Sequence, residues 1–177
     1  VGGSCSNSGK RLGECQGLGG VEFPVGGLAK VRGGPTGNAG RVECFVGERR
    51  SVGPLVSGVP MGASHGIGYV LGAKYGIPHG HTSCLMLPAV MEWNAPSNSE
   101  RQKLVSQAMG HPNHKASDVL NDLISDLGLP RGLEKAGISR QAFDEIAQAS
   151  LATPWVPQNP RKIHGAGDVL EILELAK

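Results

Sequence analysis

From about Leu55 to the end of the chain, apolar residues recur three and four positions apart, the spacing that lines one face of a helix. Ser117–Leu127 shows it most clearly, with Val119, Leu120, Leu123, Ile124 and Leu127 in register. Ser117 stands where a cap is expected and Gly128 where the helix should stop. Asn98–Met109 places Leu104, Val105 and Ala108 on one side, and Arg140–Ser150, with Ser139 as its expected cap, turns Phe143, Ile146 and Ala147 inward. Asp168–Ala176 closes the chain, with Asp168 near the positive end of its helix dipole. Two earlier segments are less regular. His65–Tyr75 is helical in composition but carries Gly66, Gly68 and Gly72, and Gly76-Ile77-Pro78 then breaks it. Thr82–Trp93 follows, with Pro88 as an expected kink. No alternating run appears after Leu55, so the fold class is mainly α.

Glycine changes the picture at the other end. Of 28 glycines, 13 lie within residues 1–40, a density that costs backbone entropy with few large apolar residues to offset it. An irregular, poorly ordered segment is expected there, with at most an edge strand at Val21–Val25 around Pro24. The expected organisation is therefore a Gly-rich segment over residues 1–40 and a helical domain over residues 41–177. A net charge of +2, with Lys and Arg scattered, offers no footprint for nucleic acid. No run approaches the roughly 18 consecutive apolar residues of a membrane span. The cysteines at 5, 15, 44 and 84 form no C-x-x-C pair, and without an apolar signal region they read as reduced thiols of a cytoplasmic protein. The chain begins at Val1, which fits a processed or fragmentary product, and its opening, poor in acidic residues, would also suit a transit peptide.

The chemistry concentrates in Gly62-Ala63-Ser64-His65-Gly66-Ile67-Gly68-Tyr69-Val70-Leu71-Gly72-Ala73 and Pro78-His79-Gly80-His81. On one straight helix His65 and His79 would stand about 21 Å apart. Ligands of a shared ion lie only about 2.0–2.1 Å from it. Sharing a metal therefore requires the chain to reverse between them, for which Gly72, Gly76 and Pro78 supply the means. Spacing alone leaves open a bland alternative, a histidine merely hydrogen-bonded beside a glycine-rich helix.

The segment resembles the signature of the iron-containing alcohol dehydrogenase family: a small residue, H-G, then L-G-A and P-H-G, then an apolar run ending near Asn94. Leu127-Gly128-Leu129-Pro130, Leu133, Gly137-Ile138 and Asn159-Pro160-Arg161 follow in the family's order, so the resemblance covers about Gly62–Lys177, and more loosely Arg41–Met61. It implies a two-domain oxidoreductase in which a dinucleotide-binding domain precedes a helical, metal-holding one. The divalent metal, iron or zinc, acts as a Lewis acid on the oxygen of an alcohol, aldehyde or keto substrate while hydride moves to or from NAD(P). By position His65 and His79 match the family's last two metal ligands. Tyr69 falls where many members carry a histidine near the nicotinamide, and is the candidate catalytic residue. Tyrosine's reference pKa near 10 makes it a poorer proton shuttle at neutral pH.

Three departures qualify the match. Residues 1–64 contain neither Asp nor His, so the family's upstream Asp/His ligand pair has no counterpart, and Glu43 and Glu48 are poor substitutes. Tyr69 is the second departure. The third is that Gly34, Gly37 and Gly40 do not make G-x-G-x-x-G, so no cofactor-binding residues can be assigned. The expected product is an incomplete enzyme that is inactive alone, with a maleylacetate-reductase-like activity as the nearest variant and a small-molecule substrate as partner. Self-association is left open. A non-catalytic helical interaction module is the alternative. His81 stands two residues after the candidate ligand, as a contact to substrate or metal or as a residue that makes a helix-start hydrogen bond. His111, His114 and His164 lie in polar loops and are expected to be solvated.

Overall fold

The computed structural model describes residues 11–34, 37–56 and 58–177. Seven helices run in order: α1 (Arg11–Gly33), α2 (Asn38–Val56), α3 (Ala63–Tyr75), α4 (His79–Ala108), α5 (Ala116–Asp126), α6 (Phe143–Leu151) and α7 (Ala166–Leu175), with 3-10 turns at Arg140–Ala142 and Val156–Gln158. No strand occurs among the described residues, in agreement with the mainly α expectation. The chain divides into two compact units. Among the described residues, one comprises those of 11–60 and 100–115, the other residues 61–99 and 116–177.

The first unit departs from expectation. Residues 1–10 lie outside the described residues, but Arg11–Gly33 is a helix where glycine density predicted irregular chain, and Val21–Val25 lies inside it rather than in a strand. The reason is close helix approach. Gly20 and Gly27 are seven residues apart on α1, as are Gly40 and Gly47 on α2, and the two helices interlock antiparallel through them. A Cβ on Gly27 would stand 2.7 Å from the Gly40 carbonyl oxygen, and one on Gly20 would stand 2.8 Å from the Ser51 nitrogen. A Cβ on Gly47 would stand 2.2 Å from the Pro24 ring. Packing against a partner helix compensates the entropy that glycine loses. Lys30 and Glu43 add an ion pair at the surface, a minor contribution.

The second unit holds the apolar core. Ile67 and Leu71 of α3, Met86 of α4, Leu133, Phe143 and Ile146 of α6, and Ile172 and Leu173 of α7 are buried together. Phe143, Ile146 and Ala147 all face inward as expected. Gly76 ends α3 in the left-handed region (φ 67°), its N–H reaching the Gly72 carbonyl while the Ile77 N–H reaches that of Leu71. Asp168 lies in the first turn of α7 and accepts the His164 N–H at 2.6 Å.

Local expectations fail in four places. α4 runs through Pro88 and breaks at Asn98 (φ −146°, ψ 29°), two residues after Pro96, which has no N–H to give to the helix. Beyond the break Leu104 is exposed, and Val105, Ser106 and Met109 are the buried face. Ser117 lies within α5, where its hydroxyl donates to Glu92 Oε2 at 2.9 Å rather than capping the helix. Ser139 precedes a 3-10 turn and makes no side-chain cap.

Candidate functional site

His65 and Tyr69 lie one turn apart on α3, so their side chains emerge from one face. The Gly76–Pro78 reversal then starts α4 at His79 and brings its ring back to His65. The ring centres stand 5.6 Å apart with planes at 81°. Two imidazoles each about 2.0–2.1 Å from one ion have centres about 4.5–6.4 Å apart, depending on the bond angle. The separation of the two ring centres falls within that range.

Two glycines make this approach possible. A Cβ on Gly68 would stand 2.9 Å from Thr82 Oγ1, so the first turn of α4 can lie directly on α3. Thr82 is buried there, its hydroxyl donating to the His79 carbonyl at 2.7 Å. A Cβ on Gly66 would stand 2.6 Å from Thr153 Oγ1 and 2.7 Å from Val156 Cγ2, so the segment after α6 also presses against α3. That segment delivers Trp155, whose ring lies edge-on to His65 at 4.5 Å and tilted to Tyr69 at 5.4 Å. Sequence reasoning missed Trp155. Its signal was an aromatic held between Pro154 and Pro157, but nothing local links it to residues nearly ninety positions earlier.

His65 is half-buried and His79 exposed. Burial, and next the charge of His79, push the His65 imidazole below its ordinary pKa of 6.5. The neutral form is the one that binds metal. Tyr69 is 56% exposed, open to a ligand on its free side. Among the described residues, no group of three or more His, Cys, Asp or Glu side chains could hold a metal, so the pair stands without a third described ligand. His81 uses its backbone N–H on the Pro78 carbonyl at 2.8 Å, a helix-start bond. His111 and His114 are exposed, with rings 5.6 Å apart. His164 is exposed as well. Cys44 and Cys84 are free thiols, and burial pushes the Cys84 thiol up.

The His65 shift has a sign that can be tested without metal. As pH falls through 6.5, the unfolded chain takes up this proton before the folded one, so stability declines and levels off once folded His65 protonates. Denaturant midpoints measured between about pH 7.5 and 5 should fall less steeply in His65→Ala than in the parent. Equal slopes would remove this assignment.

No helix is long and apolar enough to cross a membrane, among the described residues. The sequence matches the family described as Fe-containing alcohol dehydrogenase family, C-terminal, over residues 53–176. Lactaldehyde reductase of Escherichia coli is 29% identical over 144 residues, covering 73% of this chain and 37% of that protein. Maleylacetate reductase 1 of Rhodococcus opacus is 30% identical over 124 residues, covering 70% of this chain and 33% of that protein. The crystal structure of maleylacetate reductase from Agrobacterium tumefaciens shares the fold, with a TM-score of 0.84 at 21% identity over 99% of this chain and 48% of that one. The chain thus spans about a third of the length of these relatives and about half of the solved structure.

Proposed function

We propose, because this chain belongs to the Fe-containing alcohol dehydrogenase family, that it contributes the metal-holding helical part of an NAD(P)-dependent oxidoreductase acting on a small alcohol, aldehyde or keto compound. The observation that carries this reading is the approach of the His65 and His79 rings to 5.6 Å across a chain reversal. These two imidazoles would hold a divalent iron or zinc ion, their nitrogens suiting both. When bound, such an ion polarises the substrate oxygen.

The chain's own residues prepare that step. Burial, and next the charge of His79, favour the neutral His65 imidazole, and the Trp155 ring lies edge-on against it. Tyr69, beside Trp155, offers a hydroxyl one turn from His65 with which to hold or pass a hydrogen bond to substrate. Lactaldehyde and maleylacetate reductases among the relatives support a carbonyl substrate.

Zinc titration by calorimetry tests the ligand pair, in a His111→Asn/His114→Asn background so that the other close imidazoles do not contribute. Losing even an outer-shell partner costs about ten-fold or more in metal affinity, so His65→Ala and His79→Ala should each cost no less. Unchanged affinity in both would sink the reading.

A second reading, a module that docks another chain without catalysis, draws support from α2. Val42, Phe45, Val52 and Val56 share one face of it and are all exposed. Purified protein that binds no metal but associates through this face would favour that alternative.

A further inference from the structure

Asn159 lies far along the chain from the histidines and is buried, yet all four of its side-chain hydrogen-bonding positions are filled. Its Oδ1 accepts the Ala63 N–H at 3.1 Å and Asn94 Nδ2 at 3.3 Å. Its Nδ2 donates to Asn94 Oδ1 at 2.7 Å and to the Arg161 carbonyl at 2.7 Å. An amide with two acceptor and two donor sites can do no more. Asn94 is buried too, at 4% exposure.

The partners give this pair its meaning. Ala63 is the first residue of α3, two positions before His65. Asn94 is on α4, the helix that His79 begins. The residue in the capping position of α3 is Gly62, which has no side chain to offer an acceptor. Asn159 supplies the missing oxygen from 96 residues away. Gly62 is there for space as well, since a Cβ on it would stand 2.9 Å from Asn159 Oδ1. The His65 N–H in turn binds the Gly62 carbonyl at 3.1 Å, so the cap is one bond from the histidine's own backbone. Arg161 braces the other side: its Nη1 donates to the Trp93 carbonyl at 2.8 Å, and its guanidinium lies 3.8 Å from the Trp93 ring centre.

We propose that Asn159, paired with Asn94, is a positioning residue that holds His65 in register with His79 by capping α3 from the far end of the chain. The inference rests on the reading of His65 and His79 as a ligand pair, and its test is chosen so that the two can fail separately. Asn94, Asn159 and the α3 terminus form one amide cluster joining the two histidine-bearing helices. Loss of a partner inside such a cluster leaves buried polar atoms unsatisfied and lets the helix end shift.

The experiment compares Asn159→Ala and Asn94→Ala with the parent and with Ser117→Ala, a control that breaks the part-buried bond to Glu92 instead. The first readout is the set of nuclear Overhauser effects between the His65 imidazole and the Trp155 indole in metal-free protein. The second is zinc affinity by calorimetry. Asn159→Ala should weaken the ring-to-ring effects and lower zinc affinity about ten-fold, the lower edge of what outer-shell changes cost. Asn94→Ala should do the same to a smaller extent, and Ser117→Ala should do neither. Asn94→Ala leaves the Asn159 bonds to Ala63 and Arg161 in place, so it keeps the test open should Asn159→Ala not fold. Ring-to-ring effects as strong as the parent's in the folded amide variants would overturn the proposal, as would losses of equal size in Ser117→Ala. If the parent takes up no zinc, the ligand reading fails, and the ring-to-ring effects alone decide the positioning role.

Discussion

Given NADH or NADPH, an aldehyde panel and added iron or zinc, the 177-residue chain should turn over far below the roughly 1 per second of an ordinary slow enzyme. The argument is positional. Hydride transfer requires the nicotinamide carbon to be held against the substrate carbon, and fixing reactants in this way is worth about 7–11 kcal/mol of the barrier. Dinucleotides are held in α/β folds at the carboxyl ends of parallel strands, over a glycine-rich turn. Gly34, Gly37 and Gly40 do not make the G-x-G-x-x-G of that turn, and the described residues of the first unit contain helices and connections but no strand. Two imidazoles also leave an ion mostly hydrated, so substrate oxygen must compete with water for it. The measurement is loss of absorbance at the reduced cofactor's band, with and without metal. Turnover near that of an ordinary enzyme would mean that residues 1–60 bind the cofactor in a way their sequence does not announce.

Phe143→Ala should destabilise the second unit by about 3–5 kcal/mol, the range for losing a buried aromatic side chain. The Phe143 side chain is 2% exposed, in the cluster that also contains Ile67, Leu71, Ile146 and Leu173. The cost combines lost transfer energy with a cavity that these neighbours, drawn from three helices, cannot all close. Because whole-domain stability is typically about 5–15 kcal/mol, one such change uses a large part of it. Urea unfolding followed by far-ultraviolet circular dichroism gives the number. A loss below about 1 kcal/mol would indicate that the site collapses around the missing ring. Since α6 also leads into the Thr153–Asn159 segment, the contact between Trp155 and His65 should loosen in the same variant.

The periodic helices and the histidine reversal were legible in the sequence for different reasons. Phe143, Ile146 and Ala147 follow from helical spacing alone, a local property. The reversal was legible because Gly76 and Pro78 are strong breakers whatever surrounds them. What was not legible depends on partners distant in the chain. Glycine-rich α1 looks unfoldable until Gly20 and Gly27 are set against Ser51 and Gly40, because its compensation lies in another helix. Ser117 and Ser139 fit a capping pattern, but a hydroxyl takes whatever acceptor folding brings near, and for Ser117 that was Glu92. Trp155 and Asn159 went unassigned to the site for the same reason: each acts on α3 across about ninety residues of sequence.

That separation also bears on how the protein is made. Synthesis runs from the amino end at about 5–20 residues per second, and early segments fold as they emerge. The α1–α2 pair joins neighbours in sequence and can close at once, a low-contact-order event. The terminus of α3 cannot be completed until Asn159 exists, 96 residues after Ala63, so about 5–20 seconds pass with His65 made but not held. On the proposed role of Asn159, His65 is therefore held only once the segment around Asn159 has been made, and any metal that the histidine pair binds would be taken up after that point rather than before it.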